Sequence, residues 1–279
     1  MTQVSAKRKK FSLKKLLLII FLVYILIGAA LYFLQNRFLF HPTPLPADYT
    51  FAFKDSFTEQ QLYYDNTTTF NIVKFILPKE VIKKGLVIYF HGNMDNITHY
   101  ATYASNFTKN GYEIWMMDYP GFGKSTGELS ENMLYTEALQ VYKMARGAGY
   151  TADSIIIYGK SLGTGIAAQL ASVRDCKRLI LECPYYSIEN LASHYGWMYP
   201  AAWFMNYKIP TNEYLKKVTA PITIFHGTDD GTIPFSNSEK IKSESFKNGD
   251  ELITVEGADH NNLYDFDKVK KSLDSLLQK

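Results

Sequence analysis

From residue 16 to residue 36 the chain runs for 21 positions without a charge, and the first nineteen are almost all Leu, Ile, Phe, Val, Ala or Tyr. No polar stripe recurs at helical spacing, so the run does not read as a surface helix of a soluble core. At about 1.5 Å per residue, nineteen residues reach roughly 28 Å, close to the hydrocarbon thickness of a bilayer. The segment is therefore expected to be a transmembrane signal-anchor. A cleaved secretory signal is the rival: twelve apolar residues, 16 to 27, end at the small residues Gly28, Ala29 and Ala30. Leu31, Tyr32, Phe33 and Leu34 extend the apolar run and favour a full span.

Past a proline-rich connector (Pro42, Pro44, Pro46), the pattern changes to short apolar runs. Strand-like runs at 60–64 and 70–77 flank a polar turn. Further strands are expected at 86–90, 112–117, 154–158, 178–181, 222–225 and 251–255, alternating with helices at 98–109, 132–146, 164–172, 236–246 and from about 266. Short all-apolar strands separated by helices predict an α/β fold with a mostly parallel central sheet and helices on both faces. Ligands in such sheets bind beyond the C-terminal ends of the strands. The expected organisation is a basic tail at 1–15, the span at 16–36, a connector at 37–56 and one domain at 57–279, with a cap insertion at 184–220.

Charge sharpens this division. Seven of the 30 basic residues and none of the 27 acidic ones lie in the first 40 positions, so the rest of the chain carries a net charge of −4. A domain of that sign lacks a phosphate-neutralising footprint, which argues against nucleic acid as a partner. Lys7 to Lys15 should stay cytoplasmic under the positive-inside rule, placing residue 37 onward on the non-cytoplasmic side of a single-pass membrane protein. The two cysteines, Cys176 and Cys183, sit at either end of an expected strand, too far apart for an internal disulfide. They carry no information about compartment.

After the strand at 154–158 comes Gly159-Lys160-Ser161-Leu162-Gly163, a G-x-S-x-G between a strand and a helix. Such a turn projects its serine upward and aims the next N–H at a developing oxyanion, which makes Ser161 the candidate nucleophile and Leu162 a candidate oxyanion donor. In this arrangement acid and histidine follow the serine along the chain, and of the six histidines only His260 lies after every candidate acid. Asp230 is the favoured acid, beyond the strand at 222–225. Its neighbour Asp229 is read as the turn-forming residue, and Glu182 is a third choice. The second oxyanion donor is expected at Asn93, in the loop after residues 86–90. His91 and His226 each follow a strand and are read as structural. Neither cofactor nor metal is expected: no H-E-x-x-H or C-x-x-C is present, and the P-loop and dinucleotide look-alikes around Gly123, Gly159 and Gly163 lack the required glycine or strand spacing.

Taken together, His91-Gly92-Asn93, the stretch Asp118-Tyr119-Pro120-Gly121-Phe122-Gly123-Lys124-Ser125, Gly159 to Gly163, His226 through Asp230, and Asp259-His260 resemble the α/β-hydrolase superfamily. The similarity covers about residue 57 to the end. Within the superfamily the chain looks like the small, singly membrane-anchored serine hydrolases that include protein depalmitoylases and lipid esterases. The resemblance implies Ser161, Asp230 and His260 as a triad hydrolysing an ester, thioester or amide. One departure bears on substrate: depalmitoylating members have a cysteine-rich, palmitoylated N-terminus, whereas this chain has an apolar run behind basic residues.

The insertion between the strands at 178–181 and 222–225 carries Tyr185, Tyr186, Tyr195, Trp197, Tyr199, Trp203, Phe204 and Tyr207. It is expected to form a short helical cap whose aromatics line an acyl site or pack on one another. The expected function is a membrane-tethered serine esterase acting on a small-molecule or lipid-like acyl substrate. A peptidase or amidase, and a catalytically silent binding domain of the same fold, are the alternatives.

Overall fold

In the computed structural model, which describes residues 12–195, 198–199 and 205–278, a long helix leads into an eight-stranded sheet. Lys7 to Lys10, Trp197, Trp203 and Phe204 lie outside the described residues. Helix α1 (Leu13–Leu39) holds 27 residues, about 40 Å of helix. Nearly all of its side chains are exposed; Gly28 and Gln35 are the buried ones.

The sheet strands are β1 (Phe57–Tyr63), β2 (Thr69–Phe75), β3 (Gly85–Phe90), β4 (Tyr112–Asp118), β5 (Ile155–Lys160), β6 (Arg178–Glu182), β7 (Ile222–Gly227) and β8 (Glu251–Val255). Their order is β8-β7-β6-β5-β3-β4-β2-β1, and only the β1–β2 and β2–β4 pairings are antiparallel. The sequence explains the order of burial. Every residue of β3 and of β5 is buried, as a central parallel strand covered on both faces requires, whereas edge strand β1 is largely exposed. Leu86, Ile88 and Phe90 face one core; Val87 and Tyr89 face the other. At about 1.5–3 kcal/mol for each fully buried large apolar side chain, these two layers are the main source of stability.

The numbered helices covering the sheet are α2 (Glu131–Gly147), α3 (Leu162–Val173), α4 (Ile188–Tyr195), α5 (Thr211–Leu215), α6 (Ser236–Ser245) and α7 (Asp267–Gln278). Ser130 caps α2 by accepting the Met133 N–H, and α7 buries Val269, Leu273, Leu276 and Leu277 on one stripe. The single helix expected at 98–109 is instead broken into helical turns at Ile97–Tyr100 and Ser105–Thr108 with a 3-10 turn at Ala101–Tyr103 between them. Its polar side chains compete with the helix: Thr102 donates to the His99 carbonyl and Asn110 to that of Asn106.

Residues 37–56 run along the domain surface. Phe40 and Phe51 are buried, and His41–Pro42 pairs in parallel with Met94–Asp95. The strand order reverses between β3 and β5, which opens a crevice beyond their C-terminal ends. The loops after those two strands carry Asn93 and Ser161.

Candidate active site

Ser161 sits at the sharp turn from β5 into α3 with φ of 51°, a left-handed conformation that a non-glycine residue rarely adopts. Close packing holds the turn there. A Cβ on Gly163 would come within 2.1 Å of the Phe90 carbonyl oxygen, so only glycine lets α3 start this close to β3. The Ser161 N–H donates to the Glu182 carbonyl, and its own carbonyl accepts the Thr164 N–H and hydroxyl.

The serine hydroxyl lies 2.9 Å from His260 Nε2, and His260 Nδ1 lies 2.7 Å from Asp230 Oδ2. With Asp230 accepting at Nδ1, the ring carries its proton there and leaves Nε2 free to accept from Ser161. Asp230 Oδ1 accepts the backbone N–H groups of Thr232 and Ile233 at 2.9 and 2.7 Å. Burial opposes its charge, but hydrogen bonds from His226, His260 and the Ile233 backbone outweigh it and hold the carboxyl far below the usual range. The structure thus brings Ser161, Asp230 and His260 into one hydrogen-bonded line. The other two acids stand elsewhere: Asp229 is exposed and accepts from the Thr228 hydroxyl, while Glu182 is paired with Lys160.

Leu162 and Asn93 flank Ser161 on the same cavity wall, and neither N–H has a hydrogen-bond partner among the described residues. Both are therefore available to a substrate oxyanion. The loop that carries Asn93 is pinned on several sides. Tyr119 donates its hydroxyl to the His91 carbonyl, His91 Nδ1 donates to the Gly92 carbonyl, and the Asn93 side chain donates to the carbonyl of Leu39 at the end of α1. Gly92 is needed for closeness: a Cβ there would lie 2.7 Å from the Tyr100 hydroxyl and 3.6 Å from the Ser161 Cβ.

His226, read from the sequence as a structural histidine after a strand, lies within β7 and supports the acid, a role the sequence reading did not assign it. His226 Nε2 stands 3.3 Å from Asp230 Oδ2 and 2.8 Å from the Ile233 carbonyl, and its Nδ1 stands 2.6 Å from the Ser238 hydroxyl. Two acceptors around Nε2 place the proton there, so His226 donates to Asp230 while accepting from Ser238. The i, i+4 spacing of His226 and Asp230 was the available signal. Cys183, a buried free thiol, lies close by, its sulfur within 4.8 Å of the Asp230 and His260 ligand atoms. That cluster includes Asp230 and His260 of the hydrogen-bonded line itself. Beneath His260, the buried Lys160 ammonium pairs with Glu182 and reaches the His260 carbonyl at 3.3 Å; Glu182 also accepts the Tyr158 hydroxyl at 2.6 Å. Burial opposes the Lys160 charge, and the Glu182 carboxylate overrides it and raises the pKa.

A cavity of about 640 Å³ opens over Ser161, walled by Leu31, Phe38 and Leu39 of α1, by Leu191 and Ala192 of α4, and by Met205. No charged side chain is among the described residues that line it. Of the cap aromatics, Tyr185, buried with its hydroxyl on the Leu162 carbonyl, lines the cavity together with Tyr195 and Tyr199, and Tyr207 packs on Phe40.

A family model described as serine aminopeptidase, S33, matches residues 82–214. The chain is 32% identical over 182 residues to alpha/beta hydrolase domain-containing protein 17C of Xenopus tropicalis, covering 63% of this chain and 56% of that relative. It is 31% identical over 179 residues to lysophosphatidylserine lipase ABHD12 of Macaca fascicularis, covering 57% of this chain and 44% of the relative. The chain thus spans about half the length of these curated relatives. Among solved structures, the Est1E protein of Butyrivibrio proteoclasticus with bound ferulic acid superposes with a TM-score of 0.65 at 20% identity, covering 78% of this chain and 97% of that one.

Proposed function

We propose that the chain, which has the α/β-hydrolase fold and is similar to members of that superfamily, is a membrane-tethered serine hydrolase cleaving an ester or thioester of a lipid-like acyl substrate. One observation carries the reading: the Ser161–His260–Asp230 line, at 2.9 and 2.7 Å, ends in an apolar, uncharged cavity beside two unpartnered N–H groups. Ser161 attacks the acyl carbonyl while His260 takes its proton, and Asp230 steadies the imidazolium. The N–H groups of Leu162 and Asn93 hold the oxyanion. The alcohol or thiol leaves with the proton from His260, and a water activated by the same ring then releases the acid from the acyl-enzyme.

A peptidase is the second reading, favoured by the description of the matching family model. An aminopeptidase holds the ammonium of its substrate, and the described cavity wall offers no carboxylate for that task. The Ser161→Ala variant tests the catalytic reading. Hydrolysis of p-nitrophenyl esters should fall on the order of 10³-fold or more, and fluorophosphonate labelling should vanish. Undiminished activity would sink the reading, and faster cleavage of peptide anilides than of esters would favour the peptidase.

The apolar length of α1 and the basic residues before it support a single span with the domain on the non-cytoplasmic side. Protease added to sealed, right-side-out membranes should digest the domain. Digestion only after lysis would reverse the orientation and restore cytosolic acyl thioesters as substrates.

A further inference from the structure

The helix expected to serve only as an anchor is also a wall of the cavity over Ser161. Leu31, Gln35, Phe38 and Leu39 line that cavity at i, i+4, i+7 and i+8, one face of α1. This face is held in place along its length. Tyr24 stacks on Tyr199 of the cap at 4.6 Å and exchanges hydrogen bonds with residues 198 and 199 through both hydroxyls. Gln35 accepts the Asn206 N–H at 2.7 Å, and Phe40 packs edge-on against Tyr207. At the end of the helix, the Leu39 carbonyl takes the Asn93 side chain and the His41 N–H donates to the Asn93 carbonyl at 2.8 Å. These contacts run from Tyr24 to His41, about 25 Å of chain. The sequence from 196 to 205 on the cap side holds no charged residue.

We propose that α1 is a substrate-binding element: the acyl chain of a bilayer lipid lies against the α1 face and reaches Ser161 between α1 and the cap, and Leu31 and Phe38 set the chain length that fits. The inference rests on the serine-hydrolase reading above and deepens it. Three observations point to this substrate. The same helix carries the apolar surface suited to lipid and the cavity wall, so a chain sliding along it stays out of water. The described lining is uncharged and mostly apolar, which suits a hydrocarbon tail. Leu31 is 37% exposed, at the boundary between the cavity and the outer surface of α1.

The test uses the full chain in phosphatidylcholine vesicles with p-nitrophenyl butyrate and p-nitrophenyl palmitate as probes. Leu31→Trp should lower kcat/KM for the palmitate about tenfold or more while leaving the butyrate within about twofold, since added bulk obstructs only a chain long enough to meet it. Ala192→Trp narrows the cavity from the α4 side and should give the same split. Leu22→Trp, on the part of α1 outside the cavity, should change neither ester. Equal rates on both esters for Leu31→Trp, or a parallel loss on both from a folded protein, would overturn the proposal. Failure of the underlying reading is distinct: the butyrate would then be hydrolysed as well by Ser161→Ala as by the parent chain.

Discussion

Asp230 and Asp118 are both buried carboxyls near the C-terminal ends of strands, 5% and 0% exposed, and they have been driven in opposite directions. Asp230 accepts two backbone N–H groups and is met by two histidines, so its charge is favoured despite burial. Asp118 accepts a single N–H, from Ile97 at 2.8 Å, and its Oδ2 has no partner among the described residues. His91 Nε2, at 3.6 Å, is too far for a hydrogen bond. Burial therefore wins, and the Asp118 carboxyl is pushed up to about 8. Glu137 goes the same way: both its oxygens are unpartnered among the described residues, and burial, aided by nearby Asp118, raises its pKa strongly. Burial alone makes a carboxyl neutral. The number of donors aimed at it decides whether it can stabilise an imidazolium.

The comparison breaks most visibly if Asp230 loses its charge. Asp230→Asn should cost on the order of 10³ to 10⁴ in kcat, because an amide favours the wrong tautomer of His260. Asp229→Asn should stay within about twofold, since that side chain is exposed and serves only the Thr228 hydroxyl. Ester hydrolysis by the two purified variants settles the ranking. The reverse order would move the acid by one residue, and no effect from either would turn attention to Glu182.

The two carboxyls also differ in how far the sequence disclosed them. Chain order narrows the acid to later strand ends and makes His260 the last candidate base, leaving Asp230 favoured over Asp229 and Glu182. His226 and Cys183, which complete its surroundings, carry no local pattern beyond the spacing of His226, because their roles depend on three strands meeting. Glu137 had a visible signal: it shares a helical face with Leu134, Ala138 and Val141, where a charge is out of place. The part of α1 in the cavity was illegible for the opposite reason. A helix apolar on every side has no face, so the sequence shows that it can contact lipid or protein but not which residues turn inward. Gln35 is the exception, a polar group in an apolar helix that finds a partner on the cap. The central strands, in contrast, were readable from run length and apolarity, because parallel strands buried on both faces leave no alternation to misread, whereas their order in the sheet depends on crossovers that no local run records.

The smallest expected effect lies on the unpartnered side. Below about 4, Asp118 is protonated in both folded and unfolded chains and makes no pH-dependent contribution to the difference between them. Between its ordinary value of 3.8 and about 8, the unfolded chain releases the proton while the folded chain keeps it, so folding stability falls as pH rises. Above about 8 the loss is complete. Asp118→Asn removes this slope, because an amide can still accept the Ile97 N–H and never has to ionise. The variant should match the parent chain in thermal stability near pH 4 and exceed it by a growing margin up to about pH 8, with ester hydrolysis at pH 7 within about twofold because the group lies behind the Asn93 loop and not against reacting atoms. Thermal unfolding of both proteins across this range measures the margin. A margin that does not grow with pH would mean that Asp118 is ionised in the folded state and has found a donor, erasing its contrast with Asp230.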